Sequence, residues 1–277
     1  MAAEEWVARH YGDAGIAERI LAALRSAHGA AAAITVDALA PLDHFHGRGQ
    51  VATQELAALL APQPGERVLD IGSGIGGPAR WMAAKCGCRV TGVDLTPEFC
   101  AAAVALNDAA GLADRVEILN GSALDLPVPD SAFDRAYSQN VIMNIADKPR
   151  FYREAFRALR PGGLLALSNL CTTGKGELHY PVPWAETPAT SFLATVEEMR
   201  ADLLAAGFEI VSFEDTTAQT LPATVRNRER VERDGLPALG THLIMGERLR
   251  EMQVNSARNV EEGLVATVEA LVRKPAG

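Results

Sequence analysis

One stretch of the sequence constrains the fold more than any other. An apolar strand that carries an acid, Asp70, runs directly into three glycines and then into a helix. Gly72, Gly74 and Gly76 leave the backbone free to take positive φ and to approach a ligand closely, and Pro78 suits the first turn of a helix. This arrangement predicts a nucleotide-binding turn at the end of a parallel strand.

The spacing of the glycines leaves the ligand open. Gly72, Gly74 and Gly77 also satisfy G-x-G-x-x-G, which is the fingerprint of dinucleotide-binding proteins. Nicotinamide and flavin oxidoreductases therefore fit the turn as well as other nucleotide-binding families do. Asp70 and the rest of the chain must therefore distinguish the oxidoreductases from the other nucleotide-binding families.

Composition excludes several classes of protein. The 277 residues are 48% hydrophobic, enough to bury a core without a metal or a disulfide. A net charge of −9 argues against nucleic acid as a partner, because binding along phosphates needs clustered Lys and Arg. Four cysteines form no C-x-x-C pair, so no metal site is predicted. No segment approaches ~20 uninterrupted apolar residues, so we expect a soluble, cytoplasmic protein that does not bind membranes. A homodimer is left open.

Apolar strands and helices alternate after the glycine turn. The predicted strands are residues 68–71, 89–94, 116–119, 133–137, 164–169, 208–213 and 264–272. Alternation of this kind predicts an α/β fold with a parallel sheet, right-handed crossovers and helices on both faces. Ligands of such folds bind at the carboxyl ends of the strands.

Helical segments flank the predicted α/β core. We expect residues 1–50 to form a helical extension or lid, 51–215 the nucleotide-binding core, 216–261 a helical cap, and 262–277 the final strand. The cap precedes the last strand and is rich in charge. Its arginines, spaced to pair with neighbouring acids, suit a solvated helix face. If they instead converge on the pocket, they predict a substrate that carries phosphate or carboxylate.

A second acid ends the second predicted strand. Asp94 follows Gly72 by about 20 residues, where a carboxylate accepts hydrogen bonds from ribose hydroxyls. Asp94 also suits the N-cap of the helix that starts at Pro97, but the neighbouring glycine turn favours ribose. After the third strand, Ser122 and nearby backbone groups are available to an adenine edge.

Four motifs occur in order along residues 43–170. They lie at 68–74, 93–94, 126–134 and 160–163. In this order and at these intervals they resemble the motifs of class I S-adenosylmethionine-dependent methyltransferases. Dinucleotide oxidoreductases usually have an apolar residue at the position of Asp70. The resemblance implies a Rossmann-like, doubly wound, mostly parallel seven-stranded sheet with an antiparallel last strand, and S-adenosylmethionine as the cofactor.

The resemblance also implies the cofactor contacts. It places Asp70 near the methionine amino group, Asp94 at the ribose and the glycine turn along both. Ser122, which stands where the family usually has an acid, and Ala123 lie at the adenine. The full predicted set is Asp70, Gly72, Ser73, Gly74, Gly76, Asp94, Leu95, Ser122, Ala123 and Gln139.

Within that family, three segments are most similar to enzymes that methylate small molecules. Residues 43–46, 76–80 and 138–140 resemble those of the sarcosine and dimethylglycine N-methyltransferases and of the sugar O-methyltransferase of rebeccamycin synthesis. The resemblance implies a methyl acceptor of modest size. It does not identify the acceptor.

The catalytic positions depart from the family pattern. O-methylating relatives carry a His after strand four and an Asp after strand five, where Asn144 and Asn169 stand here. Asn140 stands where N-methylating relatives often carry Asp. Amides do not take a proton at neutral pH, so the expected general base is missing.

Two hypotheses follow from the missing base. In the first, the acceptor is an amine, a thiol or an electron-rich carbon that needs little activation, and the three amides orient it. In the second, a base comes from His46, its neighbour His44, or His179. O- or C-methylation of a natural product or a prenyl diphosphate remains an alternative, as do an NAD-dependent oxidoreductase and a non-catalytic module that binds the cofactor.

Overall fold

A seven-stranded sheet forms the centre of the protein. The computed structural model describes residues 3–12, 14–44, 46, 48–246 and 248–277. Its strands are β1 (Arg67–Ile71), β2 (Arg89–Asp94), β3 (Val116–Asn120), β4 (Phe133–Gln139), β5 (Leu159–Thr172), β6 (Glu209–Asp215) and β7 (Val265–Arg273). Their order in the sheet is β3-β2-β1-β4-β5-β7-β6. Strands β1 to β5 pair in parallel, and β7 runs antiparallel to β5 and β6. The predicted α/β fold is confirmed.

One strand boundary differs from the prediction. β5 begins at Leu159, which pairs with Phe133, whereas the sequence predicted a turn over 160–163 and a strand from 164. The two glycines of that segment, Gly162 and Gly163, exchange backbone hydrogen bonds with Lys274 beyond the end of β7. Pairing across the sheet therefore extends over a segment whose composition favours a turn.

Helices cover both faces of the sheet. Those before β1 are α1 (Ala3–Tyr11), α2 (Ile16–His28), α3 (Val36–Asp43) and α4 (Gln50–Leu60). Those between the parallel strands are α5 (Gly77–Cys86), α6 (Pro97–Ala109) and α7 (Lys148–Ala158), with α8 (Val196–Ala205) before β6. The cap comprises α9 (Thr217–Asp234), α10 (His242–Met245) and α11 (Leu249–Glu261).

A buried ion pair ties α3 to α5. The Arg80 guanidinium donates to Asp43 Oδ2 at 2.9 Å, and both side chains are almost fully buried. Arg80 also donates to Asn107 Oδ1 and to the backbone carbonyl of Ile75. Gly77 allows this approach, because a Cβ there would lie far inside van der Waals contact with the Asp43 carbonyl. The N-terminal helices are thus fixed to the start of the first crossover helix.

Hydrogen bonds connect the helices of the cap to each other and to the core. The Arg228 guanidinium on α9 donates to both carboxylate oxygens of Glu261 on α11, at 2.6 and 3.1 Å. At the other end of α9, Thr220 Oγ1 lies 2.9 Å from Thr267 Oγ1 on β7. These contacts hold one face of α9 towards the sheet edge where the parallel strands end.

Candidate active site

A cavity of about 960 Å³ opens at the carboxyl ends of the parallel strands. The N-terminal helices, the α/β core and the cap all contribute to its wall. The residues predicted from sequence that line it are Asp70, Gly72, Ser73, Gly74, Asp94, Leu95, Ala123, Gln139, His44, His46, Asn140, Asn144 and Asn169. The two acids predicted to hold one cofactor therefore face the same space.

The glycine turn and Asp94 form one unit. The Gly74 N–H donates to Asp94 Oδ2 at 2.7 Å, and the Thr96 N–H donates to Asp94 Oδ1 at 2.9 Å. A Cβ at Gly74 would meet nothing within 4 Å, so the turn presents bare backbone to the cavity. Asp94 thus holds the backbone just before α6, whose N-cap is Thr96, and it also lines the cavity.

Gly72 is required by packing. Its φ is 83°, and a Cβ there would overlap the Val141 side chain. Gly76, at 80°, does not line the cavity, and a Cβ there would lie 2.9 Å from the Arg80 guanidinium. Its position therefore indicates that Gly76 serves the packing of Arg80 rather than contact with a ligand.

Asp70 is a buried acid at the floor of the cavity. The Tyr137 hydroxyl donates to Asp70 Oδ2 at 2.7 Å. Burial raises the pKa of Asp70 to about 7, the Tyr137 hydrogen bond opposes the rise, and the nearby Asp94 adds to it. A cationic ligand group in the cavity would favour the ionised carboxylate. This environment suits the ammonium group of a bound amino acid.

We expect Asp70 to make the free protein less stable as pH rises from about 4 to 7. The ordinary pKa of Asp70 is 3.8, and its folded value is about 7, so the folded chain holds an extra proton between those values. The stability that this proton contributes is fully present below pH 3.8, the pKa in the unfolded chain. It is lost as the pH rises through about 7, the pKa in the folded chain. Its slope is at most about 1.4 kcal/mol per pH unit.

Urea denaturation of the ligand-free protein at a series of pH values measures this slope. Asp43 and Asp94 also have raised pKa values through burial, so the comparison with Asp70→Asn isolates one carboxyl. The variant should lose the Asp70 part of the slope. An identical pH dependence in both proteins would show that Asp70 does not titrate in this window.

Several amide atoms in the cavity have no partner. Among the described residues, Asn169 is 2% exposed and neither its Oδ1 nor its Nδ2 has a hydrogen bond. Asn144 Oδ1, Gln139 Nε2 and Ser73 Oγ are likewise buried and unpartnered within that part of the chain. Buried polar atoms are normally satisfied. Their concentration in one cavity marks where the polar groups of ligands complete the hydrogen bonding.

Tyr11 is a cavity residue that sequence reasoning did not select. Its side chain on α1 hydrogen-bonds with Asn144, and its hydroxyl donates to the Pro183 carbonyl at 3.3 Å. Burial raises the pKa of Tyr11, so the phenol stays protonated. The sequence predicted that residues 1–50 form a helical extension or lid, but it gave no sign that a phenol enters the site.

Two histidines on the loop after α3 share one hydroxyl. His44 Nδ1 lies 2.9 Å and His46 Nε2 3.1 Å from Thr53 Oγ1, which donates to Gln139 Oε1 at 3.1 Å. Because the hydroxyl has one hydrogen to give, both ring nitrogens are assigned as donors. Burial, helped by Arg80, lowers the pKa of His44 to about 4. His44 is thus neutral and held by Thr53, and both His44 and His46 line the cavity.

Two other predicted residues do not line the cavity. His179 Nε2 lies 2.8 Å from Glu262 Oε2 near the surface, and its backbone is held by Asn259. This position argues against His179 as a base. The Ser122 hydroxyl bonds to Glu4 on α1, which itself lines the cavity. Helix α1 therefore contacts the position at which the sequence suggested an adenine contact.

The described residues contain no candidate metal site and no helix that could cross a membrane. In the part of the chain that the structure describes, no group of three His, Cys, Asp or Glu side chains is arranged to hold a metal ion. No described helix has both the length and the apolar character needed to cross a bilayer.

The chain is similar to known proteins in sequence and fold. Residues 69–167 match a family model described as a methyltransferase domain. Phosphoethanolamine N-methyltransferase 1 of Arabidopsis thaliana is 33% identical over 196 residues, which are 67% of this chain and 37% of that protein. The match thus spans little more than a third of that relative. The 27-O-demethylrifamycin SV methyltransferase of Amycolatopsis mediterranei (strain S699) is 33% identical over 183 residues, 65% of this chain and 67% of that protein.

A solved structure shows the same fold. Phosphoethanolamine N-methyltransferase 2 of Haemonchus contortus, in complex with phosphomonomethylethanolamine and S-adenosylhomocysteine, superposes with a TM-score of 0.73 at 22% identity. The match covers 99% of this chain and 60% of that one. These findings exclude the alternative of an NAD-dependent oxidoreductase. The chain belongs to the class I S-adenosylmethionine-dependent methyltransferases.

Proposed function

We propose that this methyltransferase acts on a small polar acceptor whose nucleophile needs no general base from the protein, with an amine favoured. The observation that carries the proposal is the pair Asn144 and Asn169, whose unpartnered buried atoms line the cavity. Amide groups orient a nucleophile by hydrogen bonds but do not remove its proton. An uncharged amine has a free lone pair and needs only to be positioned.

The residues that hold the cofactor are proposed from the same geometry. The bare backbone of the turn at Gly74 and the carboxylate of Asp94 suit the ribose and the methionine chain, and Asp70 suits the methionine ammonium. The cofactor supplies a methyl group on a sulfonium. The amine lone pair forms the new C–N bond, the bonding pair of the broken C–S bond stays on sulfur, and the amine proton passes to water.

The chain's own contribution is alignment and exclusion of water. Holding reactants in line supplies ~7–11 kcal/mol of the barrier in well-oriented systems. Tyr11 and Glu4 on α1 close over the core, through Asn144 and Ser122 respectively. We propose that α1 acts as a lid that keeps water from the sulfonium.

We expect Asn169→Leu to separate stability from activity. The substitution removes two buried polar atoms without partners, so the free energy of unfolding of the ligand-free protein should stay level or rise. Methyl transfer should fall by about 10- to 100-fold, because the acceptor loses hydrogen bonds in the site. Urea denaturation and formation of S-adenosylhomocysteine with a panel of small amines measure the two effects.

Asn259→Leu is the matched control. Asn259 is equally buried, but it accepts from the His179 N–H at 2.8 Å and donates to the His179 carbonyl at 3.1 Å. Its replacement should therefore destabilise the protein. If Asn169→Leu destabilised the fold as much as Asn259→Leu, or left methyl transfer unchanged, Asn169 would be structural.

A hydroxyl acceptor activated by His46 is the second candidate, because His46 lines the cavity. The pH profile of kcat/KM distinguishes the two. With an amine acceptor, the profile follows the pKa of the acceptor, and His46→Gln leaves its shape unchanged. With an activated hydroxyl, His46→Gln removes an ionisation of the enzyme and lowers the rate.

A further inference from the structure

The arginines of α9 divide into two groups. Arg228 is bound to Glu261 and Glu232, and Arg233 is bound to Asp234. Arg226 and Arg230, one helical turn apart, line the cavity instead. They share this face of α9 with Thr220, Ala223, Thr224, Asn227 and Val231. The sequence left open whether the cap arginines face solvent or the pocket, and Arg226 and Arg230 face the pocket.

The charge of the cavity is divided between its two sides. Six acids line the wall formed by the N-terminal segment and the core, and each has a partner. They are Glu4 with Ser122, Asp37 with Lys85, Asp43 with Arg80, Glu55 with Arg48, Asp70 with Tyr137, and Asp94 with backbone amides. Among the described residues, the cap contributes no acid to the lining.

The cap side instead presents basic groups. No ion pair joins Arg226 or Arg230 to a described carboxylate, and among the described residues Arg230 donates only to Asn227 Oδ1, at 2.8 Å. His242, from the neighbouring α10, also lines the cavity, and its buried Nδ1 has no partner within the described part of the chain. Cationic and donor groups from two elements thus face one end of the space.

We propose that Arg226, Arg230 and His242 form an anion subsite that binds a phosphate or carboxylate group of the methyl acceptor. The planar guanidinium group of arginine matches both anions, through paired hydrogen bonds. Arg226 and Arg230 are exposed at the cavity mouth, so they also attract an anionic acceptor before it enters. This inference rests on the proposed function, because it takes the other end of the acceptor to carry the nucleophile beside Asn144 and Asn169.

Binding of an anion alone tests the subsite without methyl transfer. Inorganic phosphate is titrated by calorimetry into the protein saturated with S-adenosylhomocysteine, for the wild type, Arg226→Gln, Arg230→Gln and the double variant. Each single change should weaken phosphate binding by about tenfold. Arg233→Gln is the matched control, since it removes the same charge from the same helix outside the cavity, and its affinity should equal that of the wild type.

Methyl transfer to three amines of similar length identifies the anion. Phosphoethanolamine, β-alanine and ethanolamine carry a phosphate, a carboxylate and a neutral hydroxyl opposite the amine. Arg226→Gln and Arg230→Gln should raise KM for the preferred anionic amine by about tenfold, with kcat within about twofold and ethanolamine unaffected. A preference for phosphoethanolamine would show that the subsite binds phosphate, and a preference for β-alanine would show that it binds carboxylate.

The outcomes separate the two proposals. Failure of the wild type to bind phosphate and to prefer an anionic amine overturns the subsite, as does equal phosphate affinity in the wild type and the double variant. Loss of phosphate binding in the variants, with no transfer to any amine, supports the subsite and refutes the amine acceptor. Unchanged affinity for S-adenosylhomocysteine shows that the variants keep the cofactor site intact.

Discussion

Replacing Asp43 with alanine should lower the free energy of unfolding by about 3–5 kcal/mol, whereas Asp37→Ala should cost less than about 1 kcal/mol. The two carboxylates lie on the same helix, α3, and each pairs with a cation on α5. The distances are alike, 2.9 Å from Asp43 to Arg80 and 3.0 Å from Asp37 to Lys85. The pairs differ in burial, and burial decides the outcome.

The difference arises from what each substitution leaves behind. Without Asp43, the guanidinium of Arg80 remains in the interior with no compensating charge, because its other partners are Asn107 and two backbone carbonyls. Lys85 is 41% exposed and returns to water when Asp37 is removed. Removing one partner of a buried pair is costly for this reason, although the intact pair contributes little net stability.

Urea denaturation at pH 7 of both variants measures the two losses. A third variant, Asp43→Leu combined with Arg80→Met, removes both charges and should cost less than Asp43→Ala alone. Equal losses for Asp43→Ala and Asp37→Ala would show that water reaches Arg80. A double variant less stable than Asp43→Ala would show that the pair itself, rather than the unpaired charge, sets the cost.

The sheet was predictable because its signals are local. β2 has the predicted bounds, and α6 starts at the predicted Pro97, since an apolar run ends at Asp94 and a proline then opens a helix. The position of Asp94 beside the glycine turn follows from parallel pairing, which brings the ends of β1 and β2 together. Sequence period and strand direction were sufficient for this part of the site.

The walls of the cavity were not predictable in the same way. Glu4 reaches Ser122, and Tyr11 reaches Asn144, across more than a hundred residues of chain, and helical period carries no information about which surface a helix will meet. The position of His179 outside the cavity was unpredictable for a similar reason. The sequence showed a histidine on a loop, but its partner, Glu262, follows the cap.

The cap arginines show where charge patterning stops being informative. Their spacing predicts pairs with neighbouring acids, and Arg228 and Arg233 follow that rule. Arg226 and Arg230 do not, because the packing of α9 on α11 turns their face towards the cavity. Only the docking of α9 separates a solvated cation from one that lines a binding site.

Asp94→Ala should weaken binding of S-adenosylmethionine at least tenfold, which is about 1.4 kcal/mol. In the free protein the carboxylate accepts the N–H groups of Gly74 and Thr96, so it fixes the glycine turn as well as lining the cavity. Hydrogen bonds to charged groups contribute ~1.5–3 kcal/mol each. The substitution therefore removes the proposed ribose contact and loosens the backbone on which the cofactor lies.

Calorimetric titration with S-adenosylmethionine and with S-adenosylhomocysteine measures the loss. Asp108→Ala is the matched control, because Asp108 is an exposed acid on α6, the helix that follows Asp94, and does not line the cavity. Its affinity should equal that of the wild type. Asp94→Asn keeps one acceptor oxygen but has no charge, so its affinity for the cofactor should lie between those of Asp94→Ala and the wild type. If folded Asp94→Ala bound the cofactor within twofold of the wild type, ribose recognition would have to lie outside β2, and the proposed cofactor site would be wrong.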